Sequence, residues 1–540
     1  MGADRGLKRV FVWRPPIRAL MLAWLIGTMM MAWPSATAIA QAADLAEPEA
    51  SSGGSDACTA ATDPDRGSLE RPVPDPLFAI VGDVDLGQDV RAIRLSESTV
   101  EMYESGRKLR EIPRVARRPF DLDEIATLVD DPTWLSEVEP GVYELRAALV
   151  QSQGTLLRIS VPVVSELRLV DLPGVMVIGS RADLLVSRSR ITSWDPAIGG
   201  PDQNPQDGRP FIYYKNRSRV DILESEIVAL GSNRALSHGV SLRLGDTTGT
   251  IVDSTFVQNW IGLFTAGTAD VNVEGSVFES NIVHGVQAHE ASTGLVIRDS
   301  ELRCNGVHGV LLTGASDSTL HDNTFERNGE VAVAVDGSTA TDLVANTVTG
   351  HGVGIRLNGE RTEGVTVTGN RIVDNDVGLQ SGAAVRSLSL DNNRLEGNHL
   401  VGLILSSTGV TMSQDRVVGS PRALDIGGTV LARNVRLEAL STAVMVRDGL
   451  ATFESAELIS EERGVVTIDG GAATLADSEV RAPRPVSGAV MLGSTNLVDG
   501  TLPVINLLLA PVILAAVVGA AYAAARLHRH LLLTSAQSVV

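Results

Sequence analysis

The sequence predicts an all-β fold: a right-handed parallel β-helix solenoid with rungs of about 23 residues, a small N-terminal α+β cap and terminal membrane segments. Length is the first reason, because 540 residues exceed one ordinary globular core and suit an array that grows in one dimension. Composition is the second. The chain holds 52 Gly and only 4% aromatic residues among many Val, Ser, Thr, Asp and Asn, with no long 3.6-residue period, which suits short strands and tight turns. The third is a pair of columns running at one period. Gly or Ala recurs at Gly239, Gly262, Gly285, Gly309, Ala332, Gly354, Gly378, Gly402, Ala423, Ala443, Gly464 and Gly488, spaced 20–24 residues apart. Ser254, Ser276, Ser300, Asn323, Asn346, Asn370 and Asn393 keep step, each followed two residues later by Phe, Leu, Val or Ile.

Residues 1–40 have the build of a secretory signal peptide: Arg5, Lys8, Arg9, Arg14 and Arg18, an apolar run from Ala19 to Trp33, and Ala38-Ile39-Ala40 before Gln41. Residues 41–77, with "EPEASSGGSDA", read as a flexible linker. Residues 78–154 form the cap region. Within it "FDLDEIATLVDD" offers Asp121 as an N-cap with Glu124 three residues on, a helix start. The solenoid follows over 155–501. Residues 502–525 are apolar apart from Pro503, Asn506 and Pro511, and long enough to cross a bilayer as a transmembrane helix. Arg526 and Arg529 then place the short tail, 526–540, in the cytoplasm and the rest of the chain outside, anchored to the inner membrane.

A formal net charge of −20 opposes general attraction to nucleic acid, and no nucleic-acid partner is expected. Neither a cofactor nor a metal is expected: phosphate-cradling loops, a nucleophile elbow and paired CxxC motifs are missing from the sequence. His238, His284 and His308 each precede a column glycine and read as turn residues, being too far apart for a shared tetrahedral site. Cys58 and Cys304 fall in linker and repeat. A disulfide is allowed in an oxidising compartment, and an unpaired Cys304 in a packed turn is the favoured reading.

Stacking locates one candidate site. If each glycine marks one corner, the residue four positions later forms the column Arg243, Ala266, His289, Thr313, Asp336 and Asn358. Ser241, Phe264, Gln287, Leu311, Ala334 and Arg356 form a neighbouring column on the same outward face, while Val240, Ile355 and Leu379 point into the core. His289 then faces solvent in a shallow polar groove, two rungs or roughly 10 Å from Arg243 on one side and from Asp336 on the other. Lys215, Arg217, Arg219, Arg243, Arg298 and Arg356 punctuate the early rungs of an acidic chain; an anionic polysaccharide such as a polyuronate would suit them, while arginines on turns that only aid solubility are the reading the residues by themselves favour.

The blocks "DPTWLSEVEPGVYELRAALVQSQGTLLRI" (131–159), "LLVSRSRITSWD" (184–195), "GRPFIYYKNRSRVDILESEIVALG" (208–231), "LSHGVSL" (236–242) and "SNIVHGVQAHEASTGLVI" (280–297) stand in an order and spacing that resembles the periplasmic mannuronan C5-epimerases of alginate biosynthesis. The resemblance spans roughly residues 110–420. It implies an isomerase of the periplasm that abstracts the C5 proton of a uronate in an exopolysaccharide, linked to an export complex. That chemistry needs a base, a cation on the sugar carboxylate and a proton donor on the opposite face. The family's base histidine lies in an Asp-Pro-His-Asp motif; the matching residues here are Gln287, Ala288, His289 and Glu290. The resemblance thus implies His289 as base; on the epimerase reading Glu290 orients its ring, and the stacked columns offer Arg243 as the neutralising cation and Gln287, Lys215, Arg217, Arg356 and Asp336 as substrate contacts. The family's arginine on the following rung falls here near Gly314, with Arg298 and Arg303 the nearest basic residues in sequence. Its aromatic and acidic groups on the preceding rung fall at Thr265, Ala266 and Gly267. A non-catalytic β-helix that binds or guides the exported polysaccharide, and a uronan lyase, are the alternatives.

Overall fold

The computed structural model describes Cys58 and residues 90–499 apart from 116–118, 207 and 235. The signal peptide, the linker except Cys58, the transmembrane segment 502–525 and the tail lie outside the described residues. Among the described residues, no helix is long and apolar enough to cross a membrane.

Each rung contributes three short strands that pair in parallel with those of the next. His284–His289, Val296–Arg298 and Glu301–Arg303 stack on His308–Thr313, Ser316–His321 and Thr324–Glu326, and the pattern continues along the chain. The result is an all-β parallel solenoid, and a right-handed one. Parallel stacking begins before residue 155, because Arg91–Leu95 pairs in parallel with Ala148–Gln151. Between these strands lie a hairpin, Thr99–Glu104 with Arg107–Pro113, and the helix α1, Leu122–Val129. Helix α1 starts after Asp121 as its sequence predicts, but the Asp121 side chain makes no capping hydrogen bond. Its carboxylate accepts two bonds of 2.7 Å from Arg158, and Glu124 accepts from Arg114 at 2.9 Å. Paired charges are the stronger partners here.

The core runs the length of the coil. Val286, Ala288, Ile297, Leu302, Phe278 and Phe325 are fully buried, and Phe256 stacks on Phe278 with centroids 4.7 Å apart. Each of these side chains larger than Ala288 contributes roughly 1.5–3 kcal/mol on burial. Small residues hold the corner between rungs: a Cβ on Gly285 would stand 2.7 Å from the Gly309 carbonyl oxygen.

The Ser/Asn column is an internal ladder. The Ser300 N–H donates to Asn323 Oδ1 at 3.0 Å, the Asn323 N–H to Asn346 Oδ1 at 3.0 Å, and Asn323 Nδ2 donates to the Ile297 carbonyl at 2.8 Å. Turn amides buried in the coil thereby find partners, as burial requires. A second ladder, five residues further on, went unread in the sequence: Asn259, Asn281, Asn305, Asn328, His351, Asn375 and Asn398. His351 fits because its two ring nitrogens take the place of an amide, reaching Asn375 Oδ1 and Asn328 Nδ2 at 3.1 Å each.

Cys304 is not unpaired. It forms a disulfide with Cys58, with Cα atoms 5.4 Å apart across 246 residues of sequence. The repeat placed Cys304 at a turn, but sequence spacing carries no information about which distant segment meets that turn.

Candidate active site

Register confirms the geometry of the outward face. Lys215 pairs with Arg243, Arg243 with Ala266, Ala266 with His289, Thr313 with Asp336 and Asp336 with Asn358. The neighbouring column runs Tyr213, Ser241, Phe264, Gln287, Leu311, Ala334, Arg356. Arg243 and His289 thus share one column, two rungs apart.

Phe264, in the neighbouring column on the rung between them, is the centre of the site. The Arg243 guanidinium carbon sits 4.2 Å from its ring centroid, the His238 ring 4.8 Å and the His289 ring 6.2 Å, the last near-parallel at 23°. Trp260, Ile261, Ile282 and Val283 pack with Phe264 in a small apolar cluster. The polar groove expected from the sequence is therefore floored by aromatic and aliphatic groups. Such a floor suits the apolar face of a sugar ring and raises the strength of charge interactions above it.

Arg243 is a cation without a counter-charge. Among the described residues it forms no ion pair, and its Nε has no hydrogen-bond partner. Burial pulls its pKa down to about 10, opposed by Tyr213. Three other arginines of the early rungs are spoken for: Arg298 pairs with Glu274, Arg303 with Glu279 at 3.0 Å and Glu301 at 2.8 Å, and Arg219 with Asp221 at 2.7 Å. They lie on the other two sheets and leave the His289 face.

The three histidines expected as turn residues line this face instead. His238 touches Phe264, and the His284 and His308 rings stack with centroids 4.9 Å apart. Burial, and then neighbouring charge, pushes His238 down to about 3, His308 to about 4 and His284 well below its usual range. Burial of their rings on an outward face depends on Phe264 and on side chains from adjacent rungs, which a single repeat does not reveal.

His289 is half-exposed, as is Gln287 one column away. Glu290 is exposed and makes no hydrogen bond to the His289 ring among the described residues; its side chain lies along Gly314 of the next rung. Consecutive strand residues alternate in direction, and Glu290 begins the turn, so it is poorly placed to orient the imidazole. Asp336 is exposed at its column position, Lys215 is buried, and Arg217 stands exposed in the turn after Lys215 with φ 66°. The structure therefore brings Arg243, Phe264, His289 and Gln287 together and leaves Arg217 off the strand.

The family model that matches is the right handed beta helix region, over residues 173–348 and 262–417. The mannuronan C5-epimerase of Pseudomonas syringae pv. tomato is 28% identical over 227 residues, 39% of this chain and 42% of its own. That of Pseudomonas putida is 28% identical over 309 residues, 52% of this chain and 57% of its own. The chain is a mannuronan C5-epimerase-like right-handed β-helix. It spans about half the length of these curated relatives. The crystal structure of the periplasmic alginate epimerase AlgG is 19% identical, with 72% of this chain and 86% of that one covered, at a TM-score of 0.47. Phe264, Ile282, Val283 and His289 lie within the stretch, 262–348, that the family model matches twice.

Proposed function

We propose that this mannuronan C5-epimerase-like β-helix is a carbohydrate epimerase that inverts C5 of uronate residues in an anionic polysaccharide. The observation that carries the reading is Arg243, a partly buried cation held on Phe264 without a carboxylate, two rungs from His289 on one outward column. A uronate ring lying over Ala266 spans that gap: its carboxylate meets Arg243 and its C5–H meets the His289 imidazole. His289 takes the C5 proton while charge grows on the carboxylate, where Arg243 offsets it in a site partly shielded from water. A proton returning from water on the far face gives the inverted centre, and proton number balances without a cofactor. Gln287, Arg356 and Asp336 lie along the strands of the following rungs and contact neighbouring sugars, while Lys215 is buried at its own column position.

The reading also places the protein in the periplasm. A Cys58–Cys304 disulfide persists in an oxidising compartment, in keeping with residues 1–40 as a signal peptide and 502–525 as an inner-membrane anchor. The full chain incubated with polymannuronate in heavy water tests the activity by proton NMR. Deuterium at C5 together with guluronate signals is the expected result. Unsaturated ends would make it a lyase, and saturable binding without exchange would make it a polysaccharide guide.

A further inference from the structure

A second arginine on the same face is also held without a carboxylate among the described residues. Arg356 stands three rungs beyond His289, in the column of Gln287, Leu311 and Ala334. Its Nη2 lies 3.3 Å from Nε2 of His308, so its half-buried side chain reaches back across the rung of Ala334 to the rung that follows the one of His289. Among the described residues it forms no ion pair, although Asp336 is exposed two positions from Ala334 on that rung. An arginine donor at that distance means that His308 Nε2 is the acceptor and the imidazole is neutral, which agrees with the direction in which burial and Arg356 push it. The ring behaves as a rest that fixes the fork and adds no charge of its own. Ala334, small and buried, leaves room for the side chain to lie over it.

We infer that Arg356, rested on His308, is a second carboxylate site for the same polymer, occupied by a uronate two or three sugars along from the one between Arg243 and His289. The inference rests on the epimerase reading for the choice of polymer. Two unpaired guanidinium groups bracket His289 along the coil axis, and the rungs repeat at about 4.8 Å, close to the length of one pyranose with its glycosidic oxygen. A polymer whose carboxylates recur once per sugar therefore meets one cation at the reacting ring and the next a few sugars on. Arginine presents two parallel donors to a carboxylate, so each site is worth charge-assisted bonds and fixes register as well as affinity. Short oligomers held at the first site fall short of the second, so affinity should depend on chain length.

The test uses the full chain with oligomannuronates from disaccharide to hexasaccharide. Affinity is expected to rise by about tenfold between trisaccharide and hexasaccharide. Arg356→Gln should flatten that rise, whereas Arg243→Gln should weaken binding at every length. Arginine modification by phenylglyoxal on the unsubstituted protein, read by mass spectrometry, gives the same answer without a variant. Hexasaccharide should protect both Arg243 and Arg356, disaccharide only Arg243, and neither should protect the exposed Arg361. A length dependence untouched in Arg356→Gln, or Arg356 modified equally with hexasaccharide while Arg243 is shielded, overturns this inference alone. No binding at any length overturns the polyuronate reading with it.

Discussion

The Arg243 guanidinium carbon stands 4.2 Å above the Phe264 ring, with no carboxylate among the described residues to share the charge. An aromatic face attracts a cation electrostatically without neutralising it, so the arginine is held in place and still available to an incoming anion. Phe264→Leu keeps the apolar volume and removes the ring's attraction. Loss of about 1 kcal/mol of cation–π energy should weaken polyuronate binding by about fivefold, with Arg243→Gln weakening it further. Titration of the two variants with polymannuronate checks the order; Phe264→Leu binding as tightly as the parent would show that the ring does not position Arg243.

His289 and Glu290 should separate cleanly. His289→Ala is expected to cut C5 exchange by about a hundredfold or more while polymer affinity stays within about threefold, because the base acts on the reacting bond. Glu290→Gln should change the rate by less than about threefold, since its carboxylate makes no bond to the ring. Single-turnover exchange in heavy water measures both. A large loss in Glu290→Gln would mean that the two groups meet in the substrate complex.

Removing an internal ladder amide should be costly. Asn346→Ala leaves the Asn323 N–H, which donates to it at 3.0 Å, and the Leu320 carbonyl, which accepts from it at 2.8 Å, buried without partners. The expected loss is about 2–4 kcal/mol. Asn346→Ser should lose less, because Ser occupies the same column at Ser300. Denaturant melts rank the two, and equal losses would show that the hydroxyl cannot reach across this rung.

The disulfide closes 246 residues of sequence, so Cys304→Ser should lower stability by about 2–5 kcal/mol without unravelling the coil. Peptide mapping under non-reducing conditions should recover the Cys58 and Cys304 peptides linked. Recovery of two alkylated thiols from protein exported to an oxidising compartment would remove the cross-link.

Stability should fall on acidification before the surface carboxylates titrate. His308 and His351 are held down to about 4 and His238 to about 3, so the unfolded chain binds more protons than the folded one below the ordinary histidine range near 6.5. Their contribution is complete above that range and is lost as pH falls through 6.5 towards 4, on the order of 2 kcal/mol for each histidine. Asp415 acts in the opposite sense. Burial raises it to about 6, so its contribution is present at low pH and is lost as pH rises through 6. With four histidines, His284 among them, against one aspartate, the melting temperature should drop between pH 6.5 and 4.5. His351→Asn, which restores the ladder's usual residue, should reduce that slope; an unchanged slope would remove His351 from the account.

The sequence by itself determined the coil, and it did so because a solenoid repeats one local solution. Each rung must place a small residue at the corner and an amide or hydroxyl in the turn, so Gly285 and Asn323 recur as columns and reveal period, register and the face on which His289 stands. What only the tertiary structure decided are relationships between rungs that no period encodes. Phe264 reads as one more residue of an outward column until the Arg243, His238 and His289 side chains converge on its ring. Cys58 meets Cys304 across 246 residues, and Arg356 bends back over Ala334 to His308. Long side chains on a regular backbone choose among several neighbours within reach, and that choice is made by packing and charge in three dimensions.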